Sequence, residues 1–320
     1  MSTLVTGGAG YIGSHVVRLL EERGEQVVVV DDLSNGIPAR VPNAILVELD
    51  LSAPDAESRL RSVMEEHGVT SVIHFAAKKQ VGESVERPLW YYRNNVDGLA
   101  NLLGAMEATG VDTMVFSSSA AVYGMPDSGL LSEKTECRPI NPYGQTKLVG
   151  EWMIDNAARH GLKAIKLRYF NVAGAGWPDL ADTAVMNLVP IILDRVAAGK
   201  APIVFGDDYP TPDGTCVRDY VHVADLADAH IAALDHLATG DVSQTVFNVG
   251  TGRGASVLEV ITEMSRALGR HLTPEIAARR AGDPPQLVAD VSAINEVLGW
   301  RASYGLADIA DSAVPEGMRP

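Results

Sequence analysis

The chain has 320 residues, 46% of them hydrophobic, enough to bury the core of one large α/β unit or two closely joined domains. Its net charge of −15 is spread along the length, which excludes non-specific nucleic-acid binding, since phosphate contacts need clustered Lys and Arg. No apolar run approaches the ~20 residues that span a bilayer, the start lacks a signal-peptide pattern, and Cys137 and Cys216 lie far apart without metal-ligand spacing. A soluble, cytoplasmic protein with neither disulfide nor metal site and no membrane partner is therefore expected.

Residues 3–6 read as a buried strand that runs into Gly7-Gly8-Ala9-Gly10-Tyr11-Ile12-Gly13. A helix follows through Val16, Leu19 and Leu20 to Gly24, then a second strand, Gln26–Val30, ends at Asp31-Asp32. Strand, glycine turn, helix, strand and acidic residue in this order form a dinucleotide site. Gly7, Gly10 and Gly13 permit a tight turn and close approach of backbone to pyrophosphate, and the helix start offers N–H groups to phosphate. Asp31 is placed to accept hydrogen bonds from the adenosine ribose and to repel a 2′-phosphate, which favours NAD over NADP.

The alternation continues. Strands are predicted at Ala44–Glu48, Ser71–Phe75, Thr113–Ser117 and Ala164–Tyr169, with helices over 55–67, 89–109 and from Tyr143 onward. This pattern predicts an α/β fold, a doubly wound parallel sheet of the Rossmann type, whose ligands bind at the carboxyl ends of the strands. Beyond Tyr169 the pattern becomes irregular: a loop over Gly174–Asp182, helices over 184–198, 223–238 and 256–268, and short strands at Ile203–Phe205 and Thr245–Val249. We read residues 1–170 as an NAD-binding domain with returning elements near 217–249, and 171–320 as a smaller α/β substrate-binding lobe interleaved with it. The tail Val314–Pro320 has no periodicity and is expected to be disordered.

Asn141-Pro142-Tyr143-Gly144-Gln145-Thr146-Lys147 marks a helix mouth. Residues four apart share a helix face, so Lys147 projects toward Tyr143, and its ammonium is expected to lower the phenol pKa. Such a pair is common by chance and gains meaning from the cofactor turn and from Ser117-Ser118-Ser119 at the end of a buried strand. The implied reaction moves a hydride between a carbinol carbon and a nicotinamide, with Tyr143 taking the hydroxyl proton, Ser119 orienting that oxygen and Lys147 tuning Tyr143. His74, His222 and His230 sit among apolar residues without metal spacing and read as core or surface histidines.

The glycine turn, the serine cluster and Tyr143/Lys147 together resemble the extended branch of the short-chain dehydrogenase/reductase superfamily. Gly7 through His15, Val81-Gly82-Glu83-Ser84-Val85, Asn94-Asn95-Val96, Ser117–Gly124, Arg168-Tyr169-Phe170-Asn171 and Asp213 through Tyr220 are similar to the UDP-glucose 4-epimerase family over residues 3 to about 305. The resemblance implies a tightly held NAD, a UDP-sugar substrate, a 4-keto intermediate that turns to present its other face, and a homodimer formed through the 89–109 and 143–160 helices. It implies cofactor contacts at Tyr11, Ile12, Asp31, Asp32, Leu33, Ser34, Asn35, Gly36, Asp50, Leu51, Phe75, Ala76, Ala77, Lys78, Lys79, Asn95, Ser119, Tyr143, Lys147 and Phe170. For the UDP-sugar it implies Ser119, Tyr143, Asn171, Asn187, Leu188, Ile203, Val204, Phe205, Arg218, Arg280 and Asp283, with Leu287 at a position that gates the substituent on the sugar's second carbon. Guanidiniums such as Arg218 and Arg280 suit bidentate contact with pyrophosphate, although on local sequence alone Arg218-Asp219 reads rather as a surface ion pair and Arg279-Arg280 as a solvated charged face.

The chain departs from the family at Ala77, in a shorter loop over Gly174–Asp182, and in a C-terminal end that lacks the usual aromatics, which puts the last helix in question. A nucleotide-sugar 4,6-dehydratase would carry an Asp-Glu pair before Val122-Tyr123-Gly124, where this chain has Ala120-Ala121. An epimerase of UDP-N-acetylglucosamine, UDP-glucuronate or a UDP-pentose, and a non-catalytic NAD sensor, are the other readings weighed; a sensor would have lost Tyr143 or Lys147.

Overall fold

Five consecutive buried residues, Ser2–Thr6, form strand β1 and set the plan for the first half of the chain. The computed structural model describes residues 2–127, 129–280 and 282–319. After β1 come α1 (Tyr11–Glu22), β2 (Gln26–Asp31), β3 (Ile45–Glu48), α2 (Ala56–Glu66), β4 (Ser71–His74), α3 (Val81–Glu86), α4 (Pro88–Tyr92), α5 (Gly98–Thr109) and β5 (Thr113–Ser119). Next are β6 (Leu130–Leu131), α6 (Pro142–Ala158), β7 (Lys163–Tyr169), β8 (Asn171–Ala173), α7 (Leu188–Ala197), β9 (Ile203–Phe205), β10 (Val217–His222) and α8 (Val223–Ala238). The chain closes with β11 (Val246–Val249), β12 (Gly254–Ser256), α9 (Val257–Ala267), β13 (Glu275–Ala277), β14 (Gln286–Ala289), α10 (Ser292–Val297) and α11 (Leu306–Ala313). No helix among the described residues is long and apolar enough to cross a membrane.

The chain divides into two compact units, the first comprising Met1–Gly124, Cys137–Arg168 and Ala227–Phe247. Its sheet has the order β11-β7-β5-β4-β1-β2-β3. The pairs β1–β2, β1–β4, β2–β3 and β4–β5 are parallel. Order reverses between β1 and β4, the switch point of a doubly wound sheet, where a ligand crevice opens beyond the strand ends. Both faces of such a sheet must be covered, so the strands carry apolar residues on the buried face: Leu4, Val28, Val30, Val72 and Met114 pack with Leu60, Met64, Leu99, Leu102 and Met106 from α2 and α5. Each such side chain contributes roughly 1.5–3 kcal/mol by leaving water.

One expectation changes here. The helix anticipated over 89–109 begins at Pro88, a residue suited to a first helical position, and contains a π-turn over Arg93–Asp97 before α5. It is also preceded by α3, which the sequence reading left out.

The second unit comprises Met125–Glu136, Tyr169–Leu226 and Asn248–Pro320. Its main sheet runs β12-β10-β14-β6, with β8 also on β10, and β9 pairs with β13. Val189, Ile192, Tyr220, Val260, Ile261, Met264 and Ile309 share its core. Ser256 and Glu259 close the capping box that opens α9: the Ser256 hydroxyl accepts the Glu259 N–H at 3.0 Å, and the Glu259 carboxylate accepts the Ser256 N–H at 2.7 Å. The last helix is formed, as α11 against α9, because Ile309 and Ala310 supply an apolar face without aromatics. The tail is ordered over Glu316–Met318 as a 3₁₀ turn, held by Arg319 donating to the Val314 carbonyl at 3.2 Å; Pro320 lies outside the described residues.

Candidate active site

The β1–α1 turn is glycine for steric reasons that differ along it. Gly7 has φ +70°, and a Cβ there would lie 2.7 Å from the Ala76 nitrogen. On Gly13 it would lie 2.3 Å from the Gly7 carbonyl oxygen. On Gly10 it would meet only the Gly7 carbonyl oxygen, at 3.2 Å, so this face of the turn is open. Gly10 precedes α1 in extended backbone and contributes no capping side chain, so Tyr11, Ile12 and Gly13 begin a helix whose positive end faces that opening. An open glycine face beside an uncapped helix start fits the pyrophosphate of a dinucleotide.

Asp31 has a second duty that its position did not disclose. Its Oδ2 accepts the Ala9 N–H at 3.0 Å and its Oδ1 the Leu33 N–H at 2.9 Å, so the carboxylate holds the glycine turn against the next loop. Burial lifts its pKa, opposed by those two N–H groups, and each oxygen keeps a further lone pair for a ribose hydroxyl. Leu33 is the one non-glycine residue with positive φ among the described residues, and Gly36 closes the loop where a Cβ would fall 2.5 Å from Asp31 Oδ1; Asn35 is exposed between Ser34 and Gly36. Asp32 pairs with Lys78 at 2.7 Å and accepts the Ser34 hydroxyl at 2.6 Å. Asp50 accepts the N–H and hydroxyl of Ser52, and Leu51 is buried with its carbonyl on Asn101.

Beyond β4, the Phe75 and Ala76 N–H groups donate to the Thr6 carbonyl, which turns Ala77, Lys78 and Lys79 past the sheet edge. Lys78 is gripped through its backbone: its N–H donates to Asn95 Oδ1 at 2.8 Å, and Asn95 Nδ2 donates to the Lys78 carbonyl at 3.0 Å. The same Nδ2 donates to Thr146 Oγ1, which donates to the Tyr143 carbonyl at 2.8 Å. Asn95, expected as a cofactor contact, therefore spends its carboxamide on the protein.

Helix α6 starts where Asn141 Oδ1 accepts the Gly144 N–H at 2.9 Å, with Pro142 at the first helical position. Tyr143, Lys147 and Glu151 follow at helical spacing, all buried. The Tyr143 phenol lies beside the side chain of Ser119, at the end of β5. Its pKa is raised by burial and only partly offset by Ser119, contrary to the lowering expected from Lys147. The reason is geometric: Lys147 Nζ donates to the Ser117 carbonyl at 2.7 Å, toward β5. Burial lowers the Lys147 pKa to about 8, opposed by Glu151. His74, hydrogen-bonded to Thr6 at 2.7 Å, is pushed to about 3 by burial and then by Lys147, and is neutral. His230 is likewise a core residue, on the Ser117 hydroxyl at 2.8 Å.

The sequence reading missed one cluster in this unit. Arg168 on β7 binds Glu151 through two nitrogens, at 2.9 and 2.6 Å, and reaches the Tyr123 hydroxyl at 3.1 Å. The Ser118 hydroxyl donates to Glu151 at 2.5 Å. The spacing of Tyr143, Lys147 and Glu151 and the arginine in the apolar Ala164–Tyr169 run were the available signals.

The second unit carries the residues assigned to the sugar nucleotide. Arg218 is paired with Asp283 and not with its neighbour Asp219, whose buried carboxylate accepts N–H groups of Thr251, Gly252 and Ala289. Leu287 lies opposite Arg218 in the β10–β14 ladder. Arg280 stacks on the Phe205 ring at 3.8 Å, and Phe205 belongs to β9 with Ile203 and the buried Val204. Asn187 precedes Leu188 at the start of α7 and donates to Asp182 at 3.1 Å. Asn171 is exposed on β8 opposite Tyr220. Phe170, assigned to the cofactor, is buried in this unit with its N–H on the Val249 carbonyl, while the other cofactor residues lie in the first. His222, read as core or surface, is buried on the Ser312 hydroxyl at 3.0 Å.

The chain is similar to known proteins over nearly its whole length. Over 314 residues the chain is 49% identical to the UDP-glucose 4-epimerase of Azospirillum brasilense, covering 95% of this chain and 88% of that one. The crystal structure of UDP-glucose 4-epimerase from Brucella ovis in complex with NAD superposes with a TM-score of 0.94 at 43% identity, covering 100% of this chain and 99% of that one. The UDP-glucose-4-epimerase of Stenotrophomonas maltophila, with bound NAD and formylated UDP-arabinopyranose, gives 0.91 at 42% identity, covering 98% and 96%. Residues 3–250 match the NAD dependent epimerase/dehydratase family, and the chain belongs to that family.

Proposed function

We propose that this protein interconverts UDP-glucose and UDP-galactose by NAD-dependent epimerisation at carbon 4 of the hexose. One observation carries the reading: a buried tyrosine beside Ser119 at the end of β5, one helical turn from Lys147, in the unit that bears the glycine turn. Bound NAD supplies the acceptor that takes a hydride from the sugar and gives it back. Gly10 and the start of α1 hold its pyrophosphate, Asp31 its adenosine ribose and Lys147 its nicotinamide ribose.

Tyr143 accepts the proton of the sugar's 4-hydroxyl and later returns it to the opposite face, while Ser119 orients that oxygen. The pKa raised by burial keeps the phenol protonated in the protein alone, and the positive charge of an oxidised cofactor would favour the phenolate. In the second unit Arg218 and Arg280 take the UDP pyrophosphate, which requires Arg218 to share or exchange its partner Asp283. Asn171, Asn187, Leu188, Ile203, Val204, Phe205 and Asp283 complete this set, and Leu287 borders the sugar's second carbon. Leucine has intermediate volume and no hydroxyl, which supports a second reading, an enzyme that also accepts N-acetylated hexoses. Elimination of water is disfavoured, since Ala120 and Ala121 provide neither acid nor base.

We further propose a homodimer through the adjoining helices α4, α5 and α6. Val81 and Val85 on α3, Leu89 on α4 and Trp152 on α6 are exposed large apolar residues and support that reading. The test of the function is an assay of purified protein on UDP-galactose and UDP-N-acetylgalactosamine, together with mass spectrometry of the released cofactor. UDP-galactose should be converted, NAD should co-purify, and Tyr143→Phe should lower turnover about 10²–10⁴-fold with NAD retained. Undiminished conversion by that variant would overturn the assignment.

A further inference from the structure

Three consecutive residues of β5 meet three residues spaced by one turn on α6. Ser119 meets Tyr143, the Ser117 carbonyl takes Lys147, and the Ser118 hydroxyl takes Glu151. Serine is small enough to let the helix settle on the strand, and two glycines of α6 bring it closer still. A Cβ on Gly150 would lie 2.8 Å from the Phe116 ring, and one on Gly144 2.6 Å from the Ala121 carbonyl oxygen. The third rung is the best anchored. Glu151 is 2% exposed and is held by both a short bond from Ser118 and the bidentate fork of Arg168, which is tied in turn to Tyr123 just past Ser119.

We infer that Ser118, Glu151 and Arg168 form a positioning device for the reaction: they fix the register of α6 on β5 and set the Glu151 carboxylate one helical turn from Lys147. The inference rests on the proposed chemistry for its kinetic consequence, but its structural part concerns Lys147 alone. Among the described residues, four elements bring groups to Lys147. From β4 comes His74, which is neutral; from β5, Phe116 and the Ser117 carbonyl; from α6, Tyr143 and Glu151. Arg168 on β7 acts through Glu151. Glu151 is thus the anion that offsets the desolvation of Lys147. A carboxylate used only to neutralise Arg168 would have no reason to sit on the Tyr143–Lys147 face with a third bond to the strand that carries Ser119.

The experiment compares the holoenzyme with Ser118→Ala and Glu151→Gln variants in two readouts. Nuclear magnetic resonance of isotope-labelled lysine, with the Lys147 signal assigned by Lys147→Met, gives the titration midpoint of Lys147 without any sugar. Glu151→Gln should lower that midpoint by about half a pH unit or more, and Ser118→Ala should move it the same way by less. In turnover of UDP-galactose, Ser118→Ala should reduce kcat about tenfold with KM changed less than twofold, because a small misplacement of reacting groups acts on the transition state. The basic limb of kcat in Glu151→Gln should move to lower pH with the midpoint. A lower melting temperature with an unmoved Lys147 midpoint and parental kcat would overturn the inference and leave a mere core tie. If Glu151→Gln does not fold, Ser118→Ala, which keeps the ion pair, decides alone. If the parent does not convert UDP-galactose, the proposed function fails while the lysine titration still decides this one.

Discussion

Two alanine substitutions in the β1–α1 turn separate packing from ligand binding. On Gly13 the added methyl would lie 2.3 Å from the Gly7 carbonyl oxygen and 2.8 Å from the Gly8 Cα, roughly 1 Å inside ordinary contact. Gly7 is held in place, since its N–H is bonded to the Val30 carbonyl at 2.7 Å and the space beside it is filled by Ala76, whose nitrogen a Cβ there would meet at 2.7 Å. The start of α1 must therefore move off the turn, and overpacking of this kind costs about 1–3 kcal/mol. For a chain of this size that is a fall of several degrees in melting temperature. On Gly10 the methyl meets one atom, the Gly7 carbonyl oxygen at 3.2 Å, in ordinary extended backbone, so it asks only a small shift and should cost the protein alone much less stability than Gly13→Ala. If the open face at Gly10 is where the pyrophosphate lies, the methyl occupies that space, and Gly10→Ala should weaken NAD binding about ten- to a hundredfold, a loss of roughly 1.4–2.8 kcal/mol. The assay pairs thermal melting of cofactor-stripped protein with calorimetric titration of NAD. Gly13→Ala should lose on both counts and Gly10→Ala chiefly on the second. A Gly10→Ala protein that binds NAD as the parent does would refute the placement of the cofactor.

Acid should destabilise the protein through His74. Its pKa falls from 6.5 unfolded to about 3 folded, so between those values the unfolded chain binds the extra proton, and stability drops as pH falls below 6.5. By pH 5 this amounts to about 2 kcal/mol from one buried imidazole. His74→Asn should accordingly shrink the difference in unfolding free energy between pH 7 and pH 5, measured by urea denaturation; an unchanged difference would mean that His74 is solvated or paired in the folded state. Trp152→Glu introduces a charge on the exposed apolar residues of α3, α4 and α6 and should convert a dimer into a monomer in light scattering. A parent that is already monomeric would dismiss the dimer.

The first unit was legible because local and global signals agree there: buried strands, a glycine turn and amphipathic helices recur in order, and the switch point follows from their number. What escaped was set by neighbours distant in sequence. Whether Tyr143 titrates low or high depends on how deeply α6 is buried and on where the Lys147 side chain turns, and the four-residue spacing fixed neither. Asp31 and Asn95 were found by position, but the backbone groups that occupy them come from Ala9, Leu33 and Lys78, which only the folded loops bring near. Arg218 reads beside Asp219 as a local ion pair, whereas its partner is 65 residues away. The division of the 89–109 helix leaves little trace in an apolar pattern, because a π-turn shifts phase by one residue without changing composition.

The path from Asp32 through Lys78, Asn95 and Thr146 to Tyr143 has a bearing on cofactor retention. Every link is a side chain that grips backbone or another side chain, so the loop assigned to adenosine and the first turn of α6 open, when they open, as a single cooperative piece. Amide exchange at Lys78 and at the Tyr143 turn should accordingly share one opening free energy. If this loop holds the nucleotide and Tyr143 moves the proton, as proposed, then letting the nucleotide go and disarming the tyrosine are the same event, and a cofactor that must return its hydride is kept until it has done so.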